Sequence, residues 1–504
     1  MSGHPADPVD PLIAFFALAD AAPATLAVVD GTLRLTRGEL AAAIIAGVTT
    51  LRRHGVAPGD RVALSAPDGA PALVAALAVL HADAVHVPFD HALAPAEILD
   101  AAGILRVDWQ LRPTAIAAAT WELSPAPAFS NESHSASPAD PLHPQRSAFL
   151  RLSSGTTGAA KGVLIARDTL AARVAAAAPA LALGPADRVL WLLPMAYHFA
   201  VSILLYIGRG AGIVFGNALR ASTTATIARD HAVTIAYGSP WHVRRLAELP
   251  AGSLPASLRQ VVATTAAIDP GTAAAFRARH GIRVRQALGI IEVGLPFVSP
   301  GHDGEAPGEL GEVQPAFRVA ILPPGDEAAA AGVSATAENT DFSRHPHALP
   351  PNTEGELAMA GPGLFDAYVS PWRTRVTVLD HGFFRTGDRA ICDAAGRVRL
   401  LGRIKDVINV GGVKVFPLEV ESVLDAHPMV AASRVRAAPD ARLGEAVMAE
   451  VEVHPGTDAA TIIADLETWC ADRLAPMKRP GRIVVVAALP RTGSGKVIRS
   501  GVVP

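Results

Sequence analysis

The chain has 504 residues, half of them hydrophobic and 18% charged, with a formal net charge of −3. That length exceeds what one hydrophobic core fills, so about two to four domains or subdomains are expected. The apolar content excludes a disordered chain, and the well-mixed, near-neutral charge excludes a nucleic-acid surface and a polybasic membrane tether. Cys392 and Cys470 lie far apart in the sequence, which fits a reducing cytosol and excludes a cysteine-ligated metal cluster. The first residues carry neither a basic n-region nor an unbroken apolar h-region, so the expected location is cytoplasmic.

In chain order, Arg61-Val-Ala-Leu-Ser65 reads as a strand, Pro71 to Leu80 as a helix and Ala84-Val-His-Val-Pro88 as a second strand. The apolar stretch Ala70 to Phe89 is broken by His81, Asp83 and His86. It predicts a buried helix running into a strand, with no membrane span. Pro, Ser and His crowd Ser124 to Arg146, a composition that predicts a connector. Leu170 to Leu183 reads as a helix, and Gly208-Arg-Gly210-Ala-Gly212 lacks the spacing of a dinucleotide fingerprint and reads as a helix end. Ile213-Val-Phe215, Val233-Thr-Ile-Ala236 and Gln260-Val-Val-Ala263 read as further strands. Alternation of this kind predicts α/β layers with largely parallel sheets. Pro323 to Asn352 reads as a surface insertion in which His345-Pro-His347 is solvated. From Gly382 the texture changes to hairpin-like strands, followed by a compact strand–helix–strand–helix–strand run. The boundary is expected at about Ile404, with residues 1–403 as a large, layered α/β domain and 404–504 as a small, mobile α+β domain.

Residues 150–165 read Leu-Arg-Leu-Ser-Ser-Gly-Thr-Thr-Gly-Ala-Ala-Lys-Gly-Val-Leu-Ile. Ser153, Ser154, Thr156 and Thr157 surround Gly155 and Gly158, and Lys161 and Gly162 follow. Small residues let backbone N–H groups converge on an anion, while hydroxyls and a lysine add donors and charge. Lys161 is followed by glycine rather than Ser or Thr, so this is not the usual P-loop. Apolar residues on both sides predict strand–loop–strand.

Phe384-Arg-Thr-Gly-Asp388, Gly402-Arg403-Ile-Lys405-Asp406 and Leu489-Pro-Arg-Thr-Gly-Ser-Gly-Lys496 follow further along. With these motifs in the same order, the chain resembles the adenylate-forming superfamily of acyl- and aryl-CoA synthetases, peptide-synthetase adenylation domains and luciferases, over nearly its whole length. The resemblance implies that Ser154-Gly155-Thr156-Thr157-Gly158-Ala159-Ala160-Lys161-Gly162 holds the β- and γ-phosphates of ATP, with Ala160 in place of a common proline. It implies that Asp388, in Phe384-Arg-Thr-Gly-Asp388, takes the ribose hydroxyls, that Arg403 also reaches the ribose, and that Lys405 is the hinge between the domains. One carboxylate accepts from two hydroxyls, which suits a ribose diol. Lys496, in Leu489-Pro-Arg-Thr-Gly-Ser-Gly-Lys496, matches the catalytic lysine that bridges the substrate carboxylate and the α-phosphate. Gly411 and Gly412, with Glu419 and Glu421 after them, match the segment along the pantetheine tunnel. His198, in Pro194-Met-Ala-Tyr-His198-Phe199, matches the side chain that closes the acyl pocket.

The adenine and metal segment, commonly Tyr-Gly-x-Thr-Glu in relatives, is Leu288-Gly289-Ile290-Ile291-Glu292 here. Gly289 and the Mg²⁺ carboxylate Glu292 are kept, the stacking aromatic is Leu288, and Ile291 cannot donate to the α-phosphate. One missing donor to developing charge costs roughly 10²-fold or more in rate. The acid pocket is expected among His198, Tyr237 to Trp241, Thr264 to Ala267 and Gly289 to Pro296, mostly apolar and without a fixed charge. The expected activity is ATP- and Mg²⁺-dependent conversion of an apolar aliphatic or aromatic carboxylic acid to acyl-AMP, then transfer to CoA or to the phosphopantetheine of an acyl carrier protein. The alternatives are a thioester-forming half-enzyme that does not adenylate, and a degenerate nucleotide-binding protein on the same fold.

Overall fold

The structure is a computed structural model and describes residues 8–116, 121–126, 147–153, 161–216, 220–301, 308–325, 345–410, 413–440, 442–491 and 497–498. Two eight-stranded sheets carry the first part of the chain. In the first, Val284–Ile290, Gln260–Ala263, Ile235–Gly238, Arg188–Trp191, Gly212–Phe215 and Leu26–Asp30 lie side by side, with an antiparallel strand on each edge. In the second, Lys161–Ala166 and Ser147–Ser153 form an antiparallel hairpin, next to the parallel set Val85–Phe89, Arg61–Ser65 and Trp109–Arg112. The largest hydrophobic core contains residues of both sheets and of the helices Ala70–His81 and Arg167–Leu181.

The helix Ala70–His81 shows why this chain packs so tightly. From Ala72 to Leu80 every residue is buried, because Ala, Val and Leu alone fill it and no polar face is needed between layers. Its N-cap, Gly69, has no side chain to cap the helix, and Asp30 Oδ2 instead accepts from the Ala70 N–H at 2.8 Å. A Cβ at Gly69 would lie 2.6 Å from that oxygen.

The hairpin places the loop of interest. Ser153 and Lys161 are register partners at its loop end, so the strand–loop–strand expectation is met and residues 154–160 connect the two strands. A third, antiparallel sheet runs Glu309–Glu312, Arg397–Arg403, Phe384–Cys392, Glu354–Ala360, Arg318–Leu322. Within it Asp388 and Arg403 stand opposite each other.

A fourth sheet holds Val413–Val415, Ile408–Val410, Gly444–Val453 and Val430–Asp440, with Arg482–Val486 parallel to Gly444–Val453. The helices Pro417–Asp425 and Ala459–Arg473 join it around a separate core that includes Ile408, Val420, Leu424, Ala449, Val451 and Leu466. No helix among the described residues is long and apolar enough to cross a membrane.

Three expectations shift. The strand foreseen at Val233 to Ala236 runs Ile235–Gly238, because Ala232 turns with φ 45° and the Val233 N–H still closes the preceding helix on Ala228 O at 2.9 Å. The connector foreseen from Ser124 begins inside an edge strand, Glu122–Pro125, where a terminal proline costs no ladder bond. Its remainder, 127–146, lies outside the described residues, as do 326–344 of the foreseen insertion. His345 is not solvated but 4% exposed. Its Nδ1 accepts from the His347 N–H at 3.2 Å, and its ring packs on Phe383 and His381.

Candidate active site

A cleft of about 860 Å³ gathers the foreseen pocket segments. His198, Tyr237, Ser239 to Trp241, Thr264 to Ala267, Gly289 to Ile291, Gly294 and Leu295 contribute to its wall, with Glu292 in the turn just behind Ile291. Asp388, Arg403 and Lys405 line it too, as do Leu418, Glu421 and Ser422 from the C-terminal part. Tyr237, Thr264 to Ala267 and Gly289 come from strand ends and the turns after them, where α/β sheets place their ligands, while Leu418, Glu421 and Ser422 stand on the helix Pro417–Asp425.

Asp388 is 6% exposed and paired with Arg403, whose Nε lies 2.7 Å from Oδ1. The preceding residues set its direction. Thr386 Oγ1 donates to Leu357 O at 2.9 Å and accepts from the Asp388 N–H at 3.0 Å. Gly387 takes φ 72°, and its N–H donates to Glu356 Oε1 at 3.1 Å. Only a residue without a Cβ adopts that φ cheaply. Glu356 is held in turn by Arg385, with Nε to Oε2 at 2.8 Å.

Glu292 is 8% exposed, and the hydroxyl of Tyr368 donates to its Oε1 at 3.1 Å. Lys161, at the end of the loop hairpin, places Nζ 5.1 Å from the centre of the same tyrosine ring. Tyr368 therefore stands between the lysine and the carboxylate. Burial and the Glu292 charge hold its phenol well above the ordinary tyrosine range, so it stays a donor. One carboxylate with a fixed orientation fits Mg²⁺, which takes one or two protein carboxylates and fills its shell with water and phosphate oxygens.

His198 ends the short helix Met195–His198, where a π-helical turn, Phe199–Ile203, begins. Its ring packs edge-on against Trp191 and Tyr237, 5.6 and 6.3 Å between centroids. Burial, with a smaller contribution from the Arg151 charge, pushes its pKa down to about 3. The ring is neutral near pH 7 and serves as a wall.

The AMP-binding enzyme family model matches residues 15–369, and the model of the AMP-binding enzyme C-terminal domain matches 419–496. The chain belongs to the AMP-binding enzyme family. A sulfoacetate–CoA ligase of Cupriavidus necator is 31% identical over 379 residues, covering 74% of this chain and 70% of that protein. A feruloyl-CoA synthase of an Amycolatopsis species is 28% identical over 497 residues, covering 95% and 96%. Among solved structures, ATP-bound MatB from Rhodopseudomonas palustris superposes with a TM-score of 0.79 at 24% identity, over 97% of each chain. The o-succinylbenzoate CoA synthetase of Bacillus subtilis in complex with AMP gives 0.78 at 23% identity, over 96% of this chain and 97% of that one. The adenylate-forming fold is that foreseen from the motifs, and the enzyme class is an AMP-forming acid–CoA ligase using ATP, Mg²⁺ and CoA.

For this AMP-binding enzyme several foreseen residues lie outside the described set: Ser154, Gly155, Thr156, Thr157 and Gly158 of the phosphate loop, Gly411, Gly412 and Lys496. Their flanks are described. Ser153 and Lys161 bracket the loop, and Arg491 and Val497 pair as a bridge around 492–496 while lining the cleft. Gly289, Leu288 and Ile291 all face the cleft.

The foreseen absence of fixed charge is corrected, because Arg151 and Arg173 line the same cleft. Arg173 is fully buried and donates to Gly363 O through Nε at 3.0 Å and to Ile291 O through Nη1 at 2.8 Å. It thereby fixes the turn that presents Glu292. Thr265 is a further special position that its sequence gives no sign of. It has φ 78°, a genuine outlier for a β-branched residue, and its Oγ1 is buried without a partner among the described residues. Strain of this kind costs of order 1–3 kcal/mol and gathers at ligand sites.

Proposed function

We propose that the cleft binds ATP and one carboxylic acid side by side, and that the residue roles follow the motif order. Ser153 to Gly158 and Lys161 take the β- and γ-phosphates. Asp388 and Arg403 take the ribose, and Gly289 lets the adenine approach the backbone. Glu292 holds Mg²⁺, which supplies charge neutralisation at the phosphates. Lys496 bridges the acid's carboxylate and the α-phosphate, so the carboxylate oxygen attacks phosphorus and pyrophosphate leaves. His198 closes the acid pocket as a neutral wall.

The acyl-AMP is then attacked by a thiol, releasing AMP. We set the boundary between residues 1–403 and 404–504 at Ile404, with Lys405 as hinge, and assign Gly411 and Gly412 to the approach of the pantetheine arm. CoA is the acceptor, with a carrier-protein phosphopantetheine as the variant form of the same thiol, and the protein works in the cytoplasm.

The observation that carries the reading is the Asp388–Arg403 pair, 2.7 Å apart on the wall of a cleft shared with His198 and Gly289. Acid-dependent exchange of pyrophosphate into ATP tests it. Exchange with at least one acid of a panel supports the reading, and no exchange with any acid refutes it. Ile291 favours a second reading, a half-enzyme that makes thioester only from supplied acyl-adenylate.

A further inference from the structure

One cation of the cleft has no role in this scheme. Arg151 stands on Ser147–Ser153, two residues before Ser153, and lines the cleft beside Tyr197 and His198. Its Nη1 donates to Tyr197 O at 2.6 Å, and its guanidinium lies 5.5 Å from the centre of the Tyr197 ring. Nε is enclosed and has no acceptor among the described residues. Among those residues no carboxylate lies within ion-pair distance of it; Glu292 acts on it only as a more distant charge. Burial pulls its pKa below the ordinary arginine value, yet an arginine does not give up its proton.

A guanidinium held in a cleft wall with most of its five donors unspent is an incomplete ion pair. The backbone carbonyl of Tyr197 and the ring face position the fork without neutralising it. Arg173, the neighbouring buried guanidinium, spends its donors on Gly363 and Ile291. The contrast separates a structural arginine from one that is preorganised for an absent anion.

We propose that Arg151 is a substrate-binding residue that anchors an anionic oxygen at the acid end of the cleft, between Glu292 and the pocket residues Tyr197 and His198. The inference rests on the reading of the cleft as a carboxylate-activating site. Two sources carry that chemistry: the reacting carboxylate common to every acid, with the α-phosphate of ATP that it attacks, or a second carboxylate or sulfonate carried by the acid itself.

The test is acid-dependent pyrophosphate exchange by the full chain, with monocarboxylic acids in one arm and short dicarboxylic or sulfonated acids in the other. Arg151→Met is expected to lower kcat/KM by roughly 10²-fold, by analogy with the loss of one donor to developing charge. Arg151→Lys, which keeps the charge but not the fork, should recover part of it. Equal loss in kcat for all acids assigns the anion to the reacting group, and loss in KM confined to the second arm assigns it to the substrate's extra group. Guanidinium ion added to Arg151→Ala should restore exchange in either case. Wild-type kcat/KM with every acid in both Arg151→Met and Arg151→Lys, at unchanged Tm, overturns the proposal while leaving the cleft's ligase reading intact. Absence of exchange in the wild type fails that reading instead.

Discussion

Replacing Tyr368 by Phe removes one oxygen and leaves the ring that faces Lys161. The lost contact is the 3.1 Å hydrogen bond to Glu292 Oε1, between residues 6% and 8% exposed. A hydrogen bond to a charged group contributes about 1.5–3 kcal/mol, which corresponds to roughly 10- to 150-fold in a binding constant. Loss of an outer partner of a metal-binding carboxylate typically costs about 10- to 100-fold in metal affinity or activity. The two magnitudes agree. Tyr368→Phe should raise the half-saturating Mg²⁺ concentration of pyrophosphate exchange by roughly tenfold or more, with much of the rate regained at high Mg²⁺. Tyr368→Leu, which also removes the ring beneath Lys161, should additionally raise KM for ATP. An unchanged Mg²⁺ dependence in a well-folded Tyr368→Phe would refute the placement of the metal at Glu292.

Arg403→Met should raise KM for ATP by roughly tenfold, since it frees Asp388 from its partner at 2.7 Å; an unchanged KM removes the pair from the ribose site. His198 titrates near 3, so His198→Phe should alter the choice of acid while leaving the kcat/KM profile between about pH 6 and 8 unshifted. Loss of a limb near pH 6.5 in that variant would contradict a neutral wall. Burial raises Asp425 to about 7 in the folded protein. The unfolded chain then releases this proton first, so the group lowers stability as pH climbs from about 4 to about 7. Asp425→Asn should flatten that fall in Tm, and an unaltered Tm–pH curve would count against the burial.

The order of strands and helices is legible because local patterns decide it: short β-branched runs, an alanine-rich buried helix, and glycines where Gly387 must take φ 72°. The Asp388–Arg403 pair is legible as two motifs, though only the antiparallel register brings them together. Tyr368 and Arg173 are not legible. Tyr368 meets Glu292 across 76 positions and Arg173 meets Gly363 across 190, separations at which no periodicity links one side chain to another. Arg151 does leave a signal, a charge within an otherwise apolar strand. Its meaning depends on which face the strand turns to the cleft. His345 escapes a sequence reading because a polar, proline-rich surrounding sequence says nothing about a ring that folds back onto Phe383.

Central to this reading is that the chain activates the acid itself, with Lys496 serving that step alone. Pyrophosphate exchange and thioester formation from supplied acyl-adenylate should be measured side by side in the wild type and in Lys496→Ala. Exchange is expected in the wild type and lost in Lys496→Ala, with thioester formation in both. Thioester formation without any exchange in the wild type, or equal loss of both steps in Lys496→Ala, would contradict it.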